Sequence, residues 1–233
     1  MTHKYLFAPQ NKTPITMKST FLKITLLAFI SLAAFSCKNT EKEANMAAEE
    51  AAEATDLAVE YTVDAAASQI AWEGSKPLGT HHGTINLSSG TIHINNGKPE
   101  AGDFVIDMNS INDEDLDGEQ KTNLEAHLKG TVEGKEGDFF NVKEYPTAKF
   151  EMTSIVNNVV KGNLTIKDKT NAIEFPATVT MEGDKMMLKS DAFELDRTKW
   201  GVNYGSKSIF PNLGDKFIND TMKITVSLVA NKA

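Results

Sequence analysis

Residues 137–155 read GDFFNVKEYPTAKFEMTSI, and residues 159–179 read VVKGNLTIKDKTNAIEFPATV. Apolar and polar side chains alternate in both stretches, as in Ala148-Lys149-Phe150-Glu151-Met152 and in Ile173-Glu174-Phe175. A period of two residues places every second side chain on the same face of an extended strand. Both stretches are therefore predicted to be strands with one buried apolar face and one face in water.

The same alternation recurs in other segments downstream of residue 59. The apolar positions are Ile70 and Trp72; Ile85 and Leu87; Ile92 and Ile94; Phe104, Ile106 and Met108; and Met222, Ile224, Val226, Leu228 and Ala230. Closing such a sheet buries the apolar faces and removes exposed edges. One helix is predicted over Glu119 to Lys129, where Leu124 and Leu128 lie one turn apart. The sequence predicts an all-β fold, a single antiparallel β-barrel with one short flanking helix.

Several short motifs follow one another between residues 61 and 230. They are Tyr61-Thr62-Val63-Asp64, His127-Leu128, Asp138-Phe139-Phe140, Tyr145-Pro146, Gly162-Asn163-Leu164-Thr165-Ile166, Arg197-Thr198-Lys199-Trp200-Gly201 and Leu213-Gly214-Asp215. In this order they resemble the YceI-like family of lipocalin-like, polyisoprenoid-binding proteins. The chain departs from the family's pattern at two places. Trp200 stands where the family often has Phe, and residues 131–137 lengthen the segment before Asp138. The resemblance implies a barrel that holds an extended isoprenoid chain, such as that of an isoprenoid quinone, with its polar head near the mouth.

Under this interpretation, inward side chains of the strands would contact the lipid. The six candidates are Trp72, Phe104, Phe150, Met152, Phe175 and Phe193. Arg197, the single arginine of the chain, and His81 are candidates for the polar head. The alternative for Arg197 is a salt bridge to Glu194 or Asp196. The alternative for the domain is a filled barrel that serves as a structural or partner-binding module of the cell envelope.

The histidines and acidic residues do not indicate a metal site. His81 and His82 lie in a predicted turn, Gly79 to Gly83, and adjacent residues of a strand point to opposite faces. No carboxylate ligand for them can be identified from the sequence. The segment that starts at Asp113 resembles the beginning of a calcium loop but has Leu124 where a bidentate Glu is required. No metal and no cofactor other than the bound lipid are therefore expected.

The motifs of common hydrolases are absent from the sequence. There is no Gly-x-Ser-x-Gly and no His-Glu-x-x-His, and the single cysteine, Cys37, lies outside the predicted domain. The protein is therefore predicted not to be an enzyme.

The N-terminal region has the features of an export signal. Lys18 and Lys23 precede the apolar run Ile24 to Phe35, which is too short to span a bilayer. Residues 1–37 are predicted to be a signal peptide, with Met17 as its start, and to end at Cys37, a candidate for lipidation. The alternative is an ordinary signal peptidase site nearby. Residues 38–58, rich in Ala and Glu, are predicted to be a flexible acidic linker, and residues 59–233 the YceI-like barrel domain.

Charge restricts the possible partners. Residues 1–37 hold four lysines and no acidic residue, so the remainder has 20 basic and 32 acidic residues and a net charge of −12. This excess disfavours nucleic acid as a partner. Membrane attachment would then depend on the lipid anchor, and the expected location is the bacterial cell envelope, as a periplasmic or outer-membrane lipoprotein. The pairing of two barrels as a homodimer stays open.

Overall fold

The computed structural model describes residues 47–233, and strands make up most of this part. The strands are β1 (Val59–Val63), β2 (Gln69–Lys76), β3 (Gly79–Asn95), β4 (Lys98–Asp113), β5 (Thr147–Val156), β6 (Val159–Ile166), β7 (Lys169–Glu182), β8 (Lys185–Ser190), β9 (Phe193–Asp196) and β10 (Thr221–Lys232). Helix α1 (Gly118–Lys129) follows β4, and two 3₁₀ helices (Arg197–Trp200 and Gly214–Lys216) lie between β9 and β10. Within residues 47–233, no helix has the length and hydropathy that a bilayer span requires.

The strands form one antiparallel sheet that closes on itself. Eight strands make the ring in the order β2-β3-β4-β5-β6-β7-β8-β10, and β10 returns to β2. Residues 222–227 of β10 pair with β2, and residues 227–231 pair with β8. Strand β1 pairs with both β10 and β3, and β9 pairs with the first residues of β10. The predicted fold class, an antiparallel barrel with one flanking helix, is confirmed.

The longest hairpin, β3–β4, bends where its pairing register shifts. The shifts lie between Thr84 and Asn86, between Leu87 and Ser89, and between His93 and Ile94. Extra residues on one strand of a pair increase the local twist and bend the strand. These irregularities allow strands of 17 and 16 residues to curve around the barrel.

The two ends of the barrel differ. The lower end carries the β3–β4, β5–β6 and β7–β8 turns, two of which have Asn96-Gly97 and Asn157-Asn158 at positive φ, as tight hairpin turns require. Ile94, Met186 and Ala230 near this end are buried parts of the core. The upper end carries α1 and the β2–β3 and β6–β7 turns. Within residues 47–233, the charged and aromatic polar side chains that border the interior lie at the upper end, as described below.

The segment before β1 contacts the barrel wall. The N–H of Ala52 donates to the carbonyl of Met152 at 3.0 Å, and the N–H of Thr55 donates to Glu100 at 2.9 Å. The side-chain amide of Asn163 donates to the Glu49 carbonyl at 2.6 Å and accepts from its N–H at 2.9 Å. Residues 47–58 thus follow the outer surface, while the flexible linker over 38–58 stays a prediction. The predicted signal peptide and Cys37 lie outside the described residues.

Candidate functional site

The barrel encloses a cavity of about 410 Å³. This volume lies within the range of roughly 300–1,000 Å³ that is typical of small-molecule sites. Most of the wall is apolar. The polar residues that border the cavity belong to the upper end, among them Lys76, His81, His127, Arg197, Tyr204 and Asn219. The sequence left open whether the interior is filled, and the structure shows that it holds this space.

All six side chains that the sequence predicted to point inward border the cavity. They are Trp72, Phe104, Phe150, Met152, Phe175 and Phe193. Four of them form a row of rings, with centroid distances of 6.1 Å (Phe104 to Phe150), 5.8 Å (Phe150 to Phe175) and 4.5 Å (Phe175 to Phe193). Such rings offer a large apolar surface with little conformational freedom. Their contact with a lipid stays a prediction.

Strand β6 adds no ring to this row because a glycine stands beside Phe150. A Cβ placed on Gly162 would lie 2.5 Å from the carbonyl oxygen of Glu151 and would overlap the Phe150 ring. The oxygen belongs to the backbone and cannot move aside. The glycine of the motif Gly162-Asn163-Leu164 is therefore required by the packing of Phe150 against the neighbouring strand.

An aromatic cluster lies at the upper end, between α1 and the segments that follow it. Nε2 of His127 lies 2.7 Å from Oδ2 of Asp138. The His127 ring packs edge-on against Phe139 at 5.0 Å and against Tyr204 at 4.8 Å. His127, Phe139 and Tyr204 also border the cavity. The sequence presents His127 and Asp138 only as parts of two separate motifs and did not predict this cluster.

Arg197 is buried beside the cavity and binds backbone carbonyls. Its Nη1 donates to Val202 at 2.7 Å, its Nε to Asn219 at 3.0 Å and its Nη2 to Ile218 at 3.1 Å. Its Nη2 also lies 3.8 Å from Oδ1 of Asp220. Burial lowers the pKa of Arg197, with the nearby acidic charges opposing the shift, and an arginine stays protonated under such conditions. Arg197 therefore ties the segment after β9 to the start of β10, and its contact with a lipid head stays a prediction.

The acidic groups around Arg197 are held in place by hydrogen bonds. Burial disfavours ionisation of Asp220, but hydrogen bonds from Ser206 and Ser208 and the charge of Arg197 outweigh it and hold its pKa below the usual value. Asp196, one of the two partners named for Arg197 from the sequence, accepts hydrogen bonds from Thr198 and caps the 3₁₀ helix. Arg197 thus has an ion-pair partner, Asp220, that is distant from it in sequence.

Trp72 presents an unpaired donor next to the cavity. Its Nε1 is buried and has no hydrogen-bond partner among the residues that the structure describes. Buried donors are rarely left unpaired, because each one costs roughly 1–3 kcal/mol. This N–H is available to an oxygen atom of a ligand in the cavity.

His81 lies on strand β3, so the turn predicted over Gly79 to Gly83 is wrong. The chain turns between Lys76 and Gly79, where Pro77 favours a turn, and residues 79–83 then pair with residues 72–76 of β2. His81 borders the cavity, and its Nδ1 lies 2.9 Å from Oδ2 of Asp115. Burial raises the pKa of Asp115, but the hydrogen bond from the His82 N–H and the contact with His81 outweigh it and lower the pKa below its usual value.

Comparison with known families and relatives agrees with this architecture. A family model of the YceI-like domain matches residues 61–230. UPF0312 proteins from Pseudomonas putida are similar in sequence: those of strains F1 and KT2440 are 29% identical over 136 residues. The matched stretch covers 54% of this chain and 65% of the length of those relatives, slightly under two thirds.

Two solved structures have a similar fold. The crystal structure of BcnA from Burkholderia cenocepacia superposes with a TM-score of 0.55 at 23% identity, covering 72% of this chain and 98% of BcnA. A polyisoprenoid binding domain from Saccharophagus degradans, implicated in plant cell wall breakdown, superposes with a TM-score of 0.53 at 14% identity. That match covers 75% of this chain and 99% of the domain. At these identities the likeness establishes the fold.

Proposed function

The chain belongs to the YceI-like domain family, and on this basis we propose that it binds a polyisoprenoid, or a similar long-chain apolar lipid, inside its barrel. The observation that carries the proposal is the cavity of about 410 Å³ with its row of four phenylalanines. Each methylene moved from water into such a site contributes about 0.8 kcal/mol. A long isoprenoid chain would therefore bind tightly with few polar contacts.

The polar residues of the upper end suit the head of such a lipid. His81 and Arg197 border the cavity there, and Trp72 adds its unpaired indole N–H. A phosphate or quinone oxygen would accept hydrogen bonds from these donors. The apolar tail would then extend along the phenylalanine row toward the lower end.

The relative from Saccharophagus degradans supports the ligand class, since it is described as a polyisoprenoid binding domain. The lining offers donors and apolar surface but no nucleophile paired with a base, within the residues that border the cavity. The proposed activity is therefore carriage or sequestration of the lipid without a chemical step.

The cell envelope is the proposed site of action. Cys37 directly follows the apolar run of the predicted signal peptide, where a bacterial lipoprotein would be acylated. A chain anchored there would carry its barrel close to the membrane that contains isoprenoid lipids.

Native mass spectrometry of residues 38–233, produced in a bacterium and purified without detergent, tests the binding proposal. This fragment keeps every strand of the ring, which closes within residues 69–232. The expected result is a stoichiometric adduct that organic extraction releases as an isoprenoid lipid. A bare protein mass that persists after incubation with polyprenyl phosphates and quinones would refute lipid binding and favour the module that binds a protein partner.

A further inference from the structure

Three side chains converge at the upper end, where the start of β3 meets the end of β4. His81, Asp113 and Asp115 each offer one ligand atom, and these atoms all lie within 4.8 Å of one another. His81 is on β3, Asp113 is the last residue of β4, and Asp115 follows two residues later. Gly83 pairs with Asp113, and the N–H of Glu114 donates to the His82 carbonyl at 2.9 Å, so the backbone that carries the three residues is fixed.

Asp113 is fully buried, and one of its carboxylate oxygens has no partner. Oδ1 accepts a hydrogen bond from the N–H of Leu116 at 2.8 Å, whereas Oδ2 has no hydrogen-bond partner within the described part of the chain. A buried carboxylate oxygen without a partner is costly, and proteins usually satisfy such groups with a donor or a cation. Asp113, which carries this unpaired oxygen, belongs to the same cluster as His81 and Asp115.

Asp115 is held in a similar way. Its Oδ1 accepts from the N–H of His82 at 2.7 Å, which leaves Oδ2 beside Nδ1 of His81 at 2.9 Å. A backbone N–H thus fixes one oxygen of each carboxylate, and the second oxygen of each has no backbone donor among the described residues. This is the supporting role that outer hydrogen bonds have around metal ligands.

We propose that His81, Asp113 and Asp115 form a site for a divalent transition-metal cation, of which Zn²⁺ is the best match. One imidazole nitrogen and two carboxylate oxygens are ligands that Zn²⁺ accepts at about 2.0–2.2 Å, with a fourth position left for water. Two carboxylates neutralise the charge of the cation. Ca²⁺ and Mg²⁺ fit less well, because they prefer oxygen ligands only and more of them.

The metal site is not visible in the sequence, because the sequence does not show which carboxylates lie near His81. The histidine and the two aspartates are more than 30 residues apart, and only the pairing of β3 with β4 brings them together. The acidic segment that starts at Asp113 resembles only the beginning of a calcium loop, and all the ligands of such a loop come from one stretch of chain. Zinc binding at these three residues would not require a bound lipid.

Zinc titration of residues 38–233, purified without an affinity tag and stripped with a chelator, tests the site. We expect one Zn²⁺ per chain from ZnCl₂, and at least a 10-fold weaker affinity for His81→Ala and for Asp113→Asn. His93→Ala is the matched control, because it removes a histidine from the other end of the same strand. It should bind zinc like the wild type. Thermal unfolding in chelator verifies that each variant is folded.

Two outcomes would overturn the proposal. One is the absence of uptake by the wild type at about 100-fold excess zinc. The other is equal affinity of wild type and His81→Ala while both are folded, which would place the bound zinc elsewhere. Asp113→Asn keeps the shape of the side chain and its bond to Leu116, so a loss of zinc in that folded variant points to the ligand role.

Discussion

Replacing Ala148 with phenylalanine should separate an open barrel from a filled one. Ala148 is buried at 2% exposure, borders the cavity and lies on β5 two residues before Phe150. In a filled core, a new ring would force its neighbours apart and destabilise the protein by about 1–3 kcal/mol or more. In the cavity of about 410 Å³ the ring has space, so we expect the free energy of unfolding to change by less than ~1 kcal/mol.

The same ring should weaken lipid binding. It would exclude roughly four methylene-sized groups at about 0.8 kcal/mol each, which amounts to ~3 kcal/mol, or on the order of 100-fold in affinity. The assay is quenching of tryptophan fluorescence by a short-tailed isoprenoid quinone, since Trp72 borders the cavity. Unfolding in guanidinium chloride gives the stability of the same samples.

Lys149→Phe is the matched control for Ala148→Phe, because Lys149 is the next residue of β5 and is exposed on the outer face. It should bind the quinone like the wild type. A folded Ala148→Phe protein with unchanged quinone affinity would show that the ligand binds outside the cavity. A loss of about 3 kcal/mol of stability in Ala148→Phe, with none in the control, would show that the interior has no room for a ligand.

Three further predictions concern the buried Trp200, the carboxylate of Asp220 and the proposed lipid anchor at Cys37. Trp200→Phe should lower the free energy of unfolding by about 1–3 kcal/mol, because the buried indole N–H donates to the Leu164 carbonyl at 2.9 Å; urea unfolding measures this. Asp220 has a pKa below its unfolded value, so its contribution to stability is present above about pH 4 and is lost as the pH falls through the folded pKa. Asp220→Asn should therefore flatten the fall in melting temperature between about pH 5 and pH 2, and an unchanged acid profile would assign that fall to other groups. Cys37→Ser in the full chain should move the protein from the membrane fraction of a bacterial host to the soluble fraction, and persistence in the membrane would argue against acylation.

Local patterning was sufficient to predict the strands and their inward faces. Phe150 and Phe175 were placed inside from alternation alone, and both border the cavity. Phe193 comes from a segment with less regular alternation, and it stacks on Phe175. Alternation succeeds here because each strand has one wet face, so the hydrophobic effect acts on every second residue.

Contacts between strand ends could not be predicted in this way. The sequence offered Glu194 and Asp196, which are near Arg197 in the chain, as salt-bridge partners, and the structure adds Asp220, whose Oδ1 lies 3.8 Å from Nη2. Residues 79–83, which were predicted to form a turn, belong to β3, because the chain reverses direction at Pro77 instead. For Arg197, the tertiary fold thus supplied a partner that is distant in the chain.

The sequence by itself determined the all-β class, the inward residues and the family, because these depend on local periodicity and on short motifs in a fixed order. Only the tertiary structure decided that β10 pairs with both β2 and β8, that the closed ring leaves a cavity, and that His81 meets Asp113 and Asp115. The physical reason is that an interior volume is the difference between the space a ring encloses and the side chains within it. Neither that difference nor the meeting of strand ends is encoded in any single segment of the chain.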